Sequence, residues 1–303
     1  MKRSKKTDLF NSIRKVYAGP VAERWLVPMV KNKRPDELIS KLLPMPYLYP
    51  SPSWRTSTRD GLTVELDISD FVDWMVYFGL KDHALDFLLS LVESDSVVAD
   101  IGSNIGYVAL RMAQRAPHGF VFGFEASDYN YRKAQTNLSM NALPNVEVER
   151  VAVGEANKRI VMISGDRNNH GMTRVSSGTD HQNEGVEMVT FDSWIDAKRL
   201  KKLDLIKLDV EGYELRVLSG AARTIDRFRP MLFMEVDDSL LSNFQGSSRE
   251  IFDWLSDRQY RVFDLIGRPI EAPPALANKH LDIVAVPAER KNTTFSRNRM
   301  HRE

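Results

Sequence analysis

The run VVADIGSNIGY, residues 97–107, constrains the fold more than any other stretch of this chain. Val97, Val98, Ala99 and Ile101 read as a buried strand over 97–101. Ile105, Val108, Ala109 and Met112 fall on one face at helical spacing and predict a helix over 105–116. Between them the backbone must turn sharply through Gly102 and Gly106, two residues that accept conformations closed to most side chains. A strand that passes through a glycine turn directly into a helix is the opening unit of a doubly wound α/β sheet. In such sheets ligands bind at the carboxyl edge of the strands.

The sequence beyond this unit continues the alternation. Further strands are expected at 119–124, 146–153, 204–208 and 231–236, with an intervening helix that Ser127 would cap and another that carries Leu215, Leu218, Ala222 and Ile225. Alternation of this kind implies a parallel sheet covered on both faces. Two places depart from it. Segments 159–163 and 187–191 read as a β-hairpin insertion around a polar loop, 165–185, with no crossover helix. Segments 260–265 and 281–286 would close the sheet as an antiparallel pair. The expected fold is therefore a Rossmann-like α/β domain with a doubly wound, mixed, seven-stranded sheet over 67–290. Before it stands a helical and extended N-terminal addition, 1–66, and after it a flexible tail, 291–303. Residues 67–91 read as helical, with Phe71, Trp74, Phe78, Leu85, Leu88 and Leu89 on apolar faces.

Composition narrows the function classes. The 303 residues are 43% hydrophobic and 27% charged, as in a globular protein with a sizeable core, and carry a net charge of +1. That charge gives no general field for nucleic acid. With no cysteine in the sequence there are no disulfides, thiolate metal sites or cysteine nucleophiles. No segment reaches the roughly 20 apolar residues of a spanning helix, so the protein is expected in the cytoplasm. Residues 1–34, however, hold ten Lys/Arg against two Asp/Glu, interleaved with apolar side chains. They read as a solvated terminal helix or as a basic amphipathic stretch in peripheral contact with the inner face of a membrane. A proline-rich connector follows, KLLPMPYLYPSPS.

The glycine turn says which ligand to expect. Asn104 stands where a dinucleotide fingerprint needs its second glycine, the residue that lets a pyrophosphate approach the backbone. Its side chain would obstruct that approach, while Gly102, Ser103, Asn104 and Gly106 could still frame a smaller ligand. Asp100 offers a carboxylate suited to an ammonium group. Glu125, at the end of the second strand, offers one suited to the two hydroxyls of a ribose. An amino-acid grip followed by a ribose grip describes S-adenosyl-L-methionine. By position, Ala152 and Val153 at the third strand's end would meet the adenine edge. On the same edge Asp209, Glu211 and Glu235 form a carboxylate trio able to supply a base, orient an acceptor or hold a divalent cation. Helix capping by Glu211 and an ion pair with Lys207 are the structural reading of the same residues. His170, in the polar loop, is a further general-base candidate.

The ordered set VVADIGSNIGYVAL, FGFEAS, NLSMNALPNVEVERVAVG, VTFDSW, LDLIKLDVEGYELRVLSGA and FMEVD resembles the FkbM family of methyltransferases. The resemblance implies a class I methyltransferase fold that uses S-adenosyl-L-methionine to methylate a hydroxyl of a sugar, glycan or other small metabolite. Ala126 takes a cofactor-side position where the family commonly has proline. Asn168, Asn169 and Gly171 match an element at the acceptor mouth. A nicotinamide-dependent oxidoreductase and a non-catalytic Rossmann-like binding protein are the competing readings. Asn104 speaks against the first, and the carboxylate trio against the second.

Overall fold

The computed structural model describes residues 11–12, 14–163, 174–175, 185–271 and 280–290. It divides into two compact units, with the break between Asp82 and His83. The expected boundary at 66/67 falls at the end of a strand within the first of them.

In the first unit, helix α1 (Pro20–Val30) is followed by 3-10 turns at Ser40–Leu42 and Pro46–Leu48. Then come strands β1 (Trp54–Arg59) and β2 (Leu62–Asp67) and helix α2 (Phe71–Phe78). The two strands pair antiparallel from Trp54↔Asp67 to Arg59↔Leu62. Asp70 caps α2 by accepting from the Val72 N–H, and Gly79 ends it at φ +61. The unit's own core gathers Val30, Leu43, Tyr49, Ile68, Trp74, Phe78 and Leu80. The helical pattern of 67–91 is thus two helices split at Gly79, and its first residue belongs to β2. An apolar spacing of three and four is blind to a left-handed break between two turns.

The second unit begins with α3 (His83–Ser90), β3 (Val97–Ile101), α4 (Tyr107–Arg115), β4 (Phe120–Phe124), α5 (Asp128–Ser139) and β5 (Val146–Glu149). A smaller set follows: β6 (Ala152–Val153), β7 (Lys158–Ile163), β8 (Arg174–Val175) and β9 (Gly185–Val189). The chain then runs through α6 (Phe191–Lys198), β10 (Leu205–Leu208), α7 (Glu214–Gly220), α8 (Ala222–Phe228), β11 (Met231–Asp237), α9 (Ser248–Asp257), β12 (Tyr260–Phe263) and β13 (His280–Pro287). The main sheet has seven strands in the order β12-β13-β11-β10-β3-β4-β5. From β11 to β5 all neighbours are parallel. β13 lies antiparallel between β11 and β12. This is the seven-stranded, mixed, doubly wound sheet of the class I methyltransferase fold.

Three local readings change. The strand expected at 146–153 stops at Glu149, and β6 leaves the main sheet to pair with β9. The strand expected at 187–191 ends at Val189. Phe191 instead opens α6, capped by the Thr190 side chain, so a crossover helix is present after all. Helix propensity lost to the apolar run there until tertiary packing buried Phe191 and Trp194 against Phe124, with ring centroids 5.7 and 4.7 Å away. The single helix read through 215–225 is two, α7 and α8, which meet at Ala221. The hairpin insertion holds: β7 and β9 pair antiparallel from Lys158↔Met188.

Candidate active site

Strand order reverses between β3 and β10, since successive strands build outward from β3 on one side and from β10 on the other. The crevice at the carboxyl ends of those two strands is the switch point at which open α/β sheets bind ligands. The loop after β3 and the loop after β10 meet there. A Cβ on Gly102 would stand 1.9 Å from the Asp209 carbonyl oxygen, and Gly102 itself lies at φ +88. No side chain fits, and the turn needs a left-handed residue.

Below the loop, Lys207 of β10 is the cross-strand partner of Asp100 on β3. Its ammonium stands 3.2 Å from Asp100 Oδ1, 3.2 Å from Asp209 Oδ2, and donates to the Gly102 carbonyl at 2.8 Å. Burial opposes the charge on Lys207, but the carboxylates of Asp100 and Asp209 outweigh it and raise its pKa. Asp100 is fully buried, and burial pushes its carboxyl up while Lys207 works against that shift. Neither Asp100 oxygen accepts a directed hydrogen bond among the described residues. The ion pair read from sequence between the carboxylate trio and Lys207 is therefore formed through Asp209, with Asp100 as a second partner.

Glu125 follows β4 and sits at the lip of the same loop. Its Oε2 accepts the Asn104 N–H and its Oε1 the Ser127 N–H, both at 2.8 Å. Burial raises its pKa to about 7 against those two donors. Gly102 and Ser103 both donate their N–H groups to the Phe124 carbonyl at 3.0 Å. Ser103 Oγ accepts from the Phe124 N–H at 2.8 Å, a contact that leaves no room for a Cβ on Gly123. Three successive loop N–H groups, at Gly102, Ser103 and Asn104, are thus spent on the protein's own oxygens. A pyrophosphate-binding loop must keep such donors for its ligand. Asn104 adopts φ +49 and Gly106 φ +77, where α4 begins.

The other expected site residues are placed as follows. Asp209 stands at the exit of β10 with its side chain 42% exposed. Glu211 takes φ +54 in the turn. The turn is closed by Glu214, whose carboxylate accepts from the N–H groups of Val210 and Gly212 at 3.1 and 3.2 Å, and the helix that Glu214 opens has no side-chain cap. Burial lifts its pKa to about 7. Glu235, near the end of β11, pairs with His280 of β13, with Oε1 and Nδ1 2.6 Å apart, and Asp282 Oδ2 lies 3.7 Å from Nε2. Asp282 and Glu235 raise the His280 pKa to about 10. Ala126 packs against the main core, and Ala152 and Val153 are buried on β6. Among the described residues no three His, Asp or Glu side chains converge on a metal position, so Asp209, Glu211 and Glu235 are not gathered as cation ligands. His170, with Asn168, Asn169 and Gly171, lies outside the described residues.

Sequence reasoning missed Glu214 and His280. Glu214 had a signal, an acidic residue in the first turn of a helix that follows a glycine turn. His280 had none, because its partners come from strands joined only by sheet register.

Residues 100–262 match the family model described as the methyltransferase FkbM domain, more than half of the chain. The chain belongs to the FkbM methyltransferase family. The 2-O-methyltransferase NoeI of Sinorhizobium fredii is 28% identical over 213 residues, which cover 64% of this chain and 84% of that protein. The hexuronic acid methyltransferase AglP of Haloferax volcanii is 28% identical over 148 residues, covering 48% of this chain and 58% of AglP. The solved structure of methyltransferase FkbM from Methylobacillus flagellatus is similar at 19% identity, over 64% of this chain and 44% of that one, with a TM-score of 0.41. The matched span of this FkbM methyltransferase runs from the Asp100 end of β3 to β12, and so contains the glycine loop, Glu125 and the β10 turn.

Proposed function

We propose that this methyltransferase uses S-adenosyl-L-methionine to methylate a hydroxyl of a sugar or glycan. The observation that carries the cofactor assignment is the loop's hydrogen bonding. Its backbone donors are consumed internally, and what it presents at the switch point is a carboxylate, Glu125, held in place by two N–H bonds. Each carboxylate oxygen has a second lone pair, so Glu125 can still accept both hydroxyls of a ribose. A nicotinamide dinucleotide would need the donors that are spent. Asp100, expected from sequence to meet a ligand ammonium, is instead fully buried and paired with Lys207, so it holds the strand end rather than presenting its carboxylate at the crevice.

When bound, the cofactor supplies an electrophilic methyl group on a sulfonium. The protein must align an acceptor hydroxyl with it and exclude water. Asp209 is the half-exposed carboxylate closest in sequence to the switch-point crossing. We assign it the hydroxyl proton as the C–O bond forms, with Lys207 beside it to keep the side chain in place. Glu235 and His280, one strand further along the same edge, would orient the acceptor. Sugar as the acceptor class is supported by the names of the two relatives, a 2-O-methyltransferase and a hexuronic acid methyltransferase.

Incubation with methyl-labelled cofactor and a panel of free hexuronates, neutral hexoses and oligosaccharides tests the reading. Label should enter a hydroxyl of at least one sugar, and Asp209→Asn should lower turnover while cofactor affinity survives. Binding of NADH in place of S-adenosyl-L-methionine would overturn the cofactor assignment. Transfer to a non-sugar acceptor alone would overturn the substrate class.

A further inference from the structure

Helix α1 of the first unit is apolar on two faces, and only one of them is used. Leu26, Val27 and Val30 pack into that unit's core. Glu23 is fully buried on the same side. Its carboxylate takes a bidentate contact from Arg55 at 2.8 and 3.0 Å and a hydrogen bond from the Tyr77 hydroxyl at 3.0 Å. This clamp ties α1 to β1 and α2 and fixes which way the helix faces. Val21, Trp25 and Met29, at i, i+4 and i+8, then form a stripe on the outer side, 79%, 74% and 54% exposed. Pro28 and Arg24 flank the stripe and are exposed too. Just before the helix, Val16 and Tyr17 are likewise exposed.

A helix apolar all round is normally buried all round. An outward row of Val, Trp and Met has no role in the unit's own stability, and exposed apolar stripes of this kind mark interaction surfaces. Charge names the partner. Residues 1–34 carry ten cationic side chains and two acidic ones, and the acidic Glu23 is internal and neutralised by Arg55. Arg24 of the helix is exposed, as are Lys15 before the helix and Lys31 after it. Lys33 and Arg34 are exposed as well, and they face Glu37 and Asp36. An apolar row containing tryptophan, bordered by cations, is the pattern of a helix that lies in the headgroup region of an anionic bilayer.

We infer that the Val21-Trp25-Met29 face of α1 docks the protein on an anionic phospholipid surface. The inference stands apart from the cofactor and acceptor assignments, because it uses no residue of the second unit.

The absence of cysteine makes the test clean, since a single introduced thiol can be labelled uniquely. The full chain carrying Val21→Cys with a polarity-sensitive fluorophore is mixed with vesicles of phosphatidylcholine alone or with added phosphatidylglycerol. A blue shift on the anionic vesicles only, reversed by high salt, is expected. In co-sedimentation, the joint substitution Val21→Ser, Trp25→Ser and Met29→Ser should lower partitioning onto those vesicles by about tenfold or more. Its thermal transition should stay that of the parent, since all three side chains face solvent. No shift on anionic vesicles would overturn the inference, and so would equal partitioning of parent and triple variant. A dimer in light scattering that the triple variant abolishes, without vesicle binding, would overturn it in favour of a second copy of the chain.

Discussion

Substituting Lys207→Met should destabilise the protein in a way that depends on pH and can be calculated from one carboxylate. Lys207 and Asp100 face each other across β10 and β3, 3.2 Å apart, with Asp100 fully buried. Burial already raises the Asp100 pKa, and the ammonium is what opposes it. Without Lys207 the carboxyl escapes an unpaired buried charge by binding a proton. Keeping protonated at pH 7 a group whose unfolded pKa is about 3.9 costs about 4 kcal/mol, at about 1.4 kcal/mol per pH unit, and this is the upper bound on the difference because the parent's Asp100 pKa is already raised. That agrees with the roughly 3–5 kcal/mol found when one member of a buried ion pair is removed. The sign follows: in the variant the folded pKa lies above the unfolded one, so the stability lost at pH 7 returns as pH falls toward 4. Lys207 in the parent has a pKa raised above 10.5 and stays charged throughout that range, so its own titration does not enter the difference. Urea unfolding followed by circular dichroism at pH 7, 6 and 5 measures the difference. It should shrink by about 1.4 kcal/mol per unit, and adding Asp100→Asn to the variant should restore most of the loss at pH 7. An equal deficit at pH 5 and pH 7, or a double variant no more stable than the single one, would refute the reasoning.

Gly102→Ala should cost more than the roughly 1–2 kcal/mol of a left-handed alanine, because its Cβ would meet the Asp209 carbonyl oxygen at 1.9 Å. Gly106→Ala, whose Cβ would meet Leu138 Cδ1 at 3.0 Å and Ala134 Cβ and Cα at 3.2 and 3.3 Å, should cost somewhat more than the strain alone but less than Gly102→Ala; equal losses in urea unfolding would disprove the distinction. Adenosine, which carries the ribose without an ionising amino acid, should bind more weakly as pH falls below about 7, where Glu125 takes up its proton. The limiting slope is about tenfold per unit, and calorimetry on Glu125→Gln should show a flat profile. His280, whose pKa is raised from 6.5 to about 10, contributes stability fully present below pH 6.5 and lost as pH rises through 10. The melting-temperature advantage of the parent over His280→Gln should follow that course, and an advantage that grew with pH would contradict it.

Much of the site was legible because it is local. Asp100, Gly102, Asn104 and Glu125 sit at fixed offsets from the ends of two strands, and those strands announce themselves as apolar runs. Glu214 was not legible because several acidic residues lie in and after the β10 turn, and only the backbone path decides that the Val210 and Gly212 N–H groups reach Glu214. The helix at Phe191–Lys198 was hidden because its first residues continue an apolar strand pattern, and a side-chain cap at Thr190 is visible only once the strand has ended.

The sequence by itself determined the alternation of the main-sheet strands with helices and the glycine turn after β3. Each of these follows from periodicity or from what a single residue's backbone allows. Tertiary structure decided which charges meet. Lys207 is 107 positions from Asp100 and His280 is 45 from Glu235, and they come together only through the register of β10 on β3 and of β13 on β11. It also decided which face of α1 is left outward, since the apolar residues on its two sides look alike in sequence. The buried Glu23–Arg55 pair chooses between them.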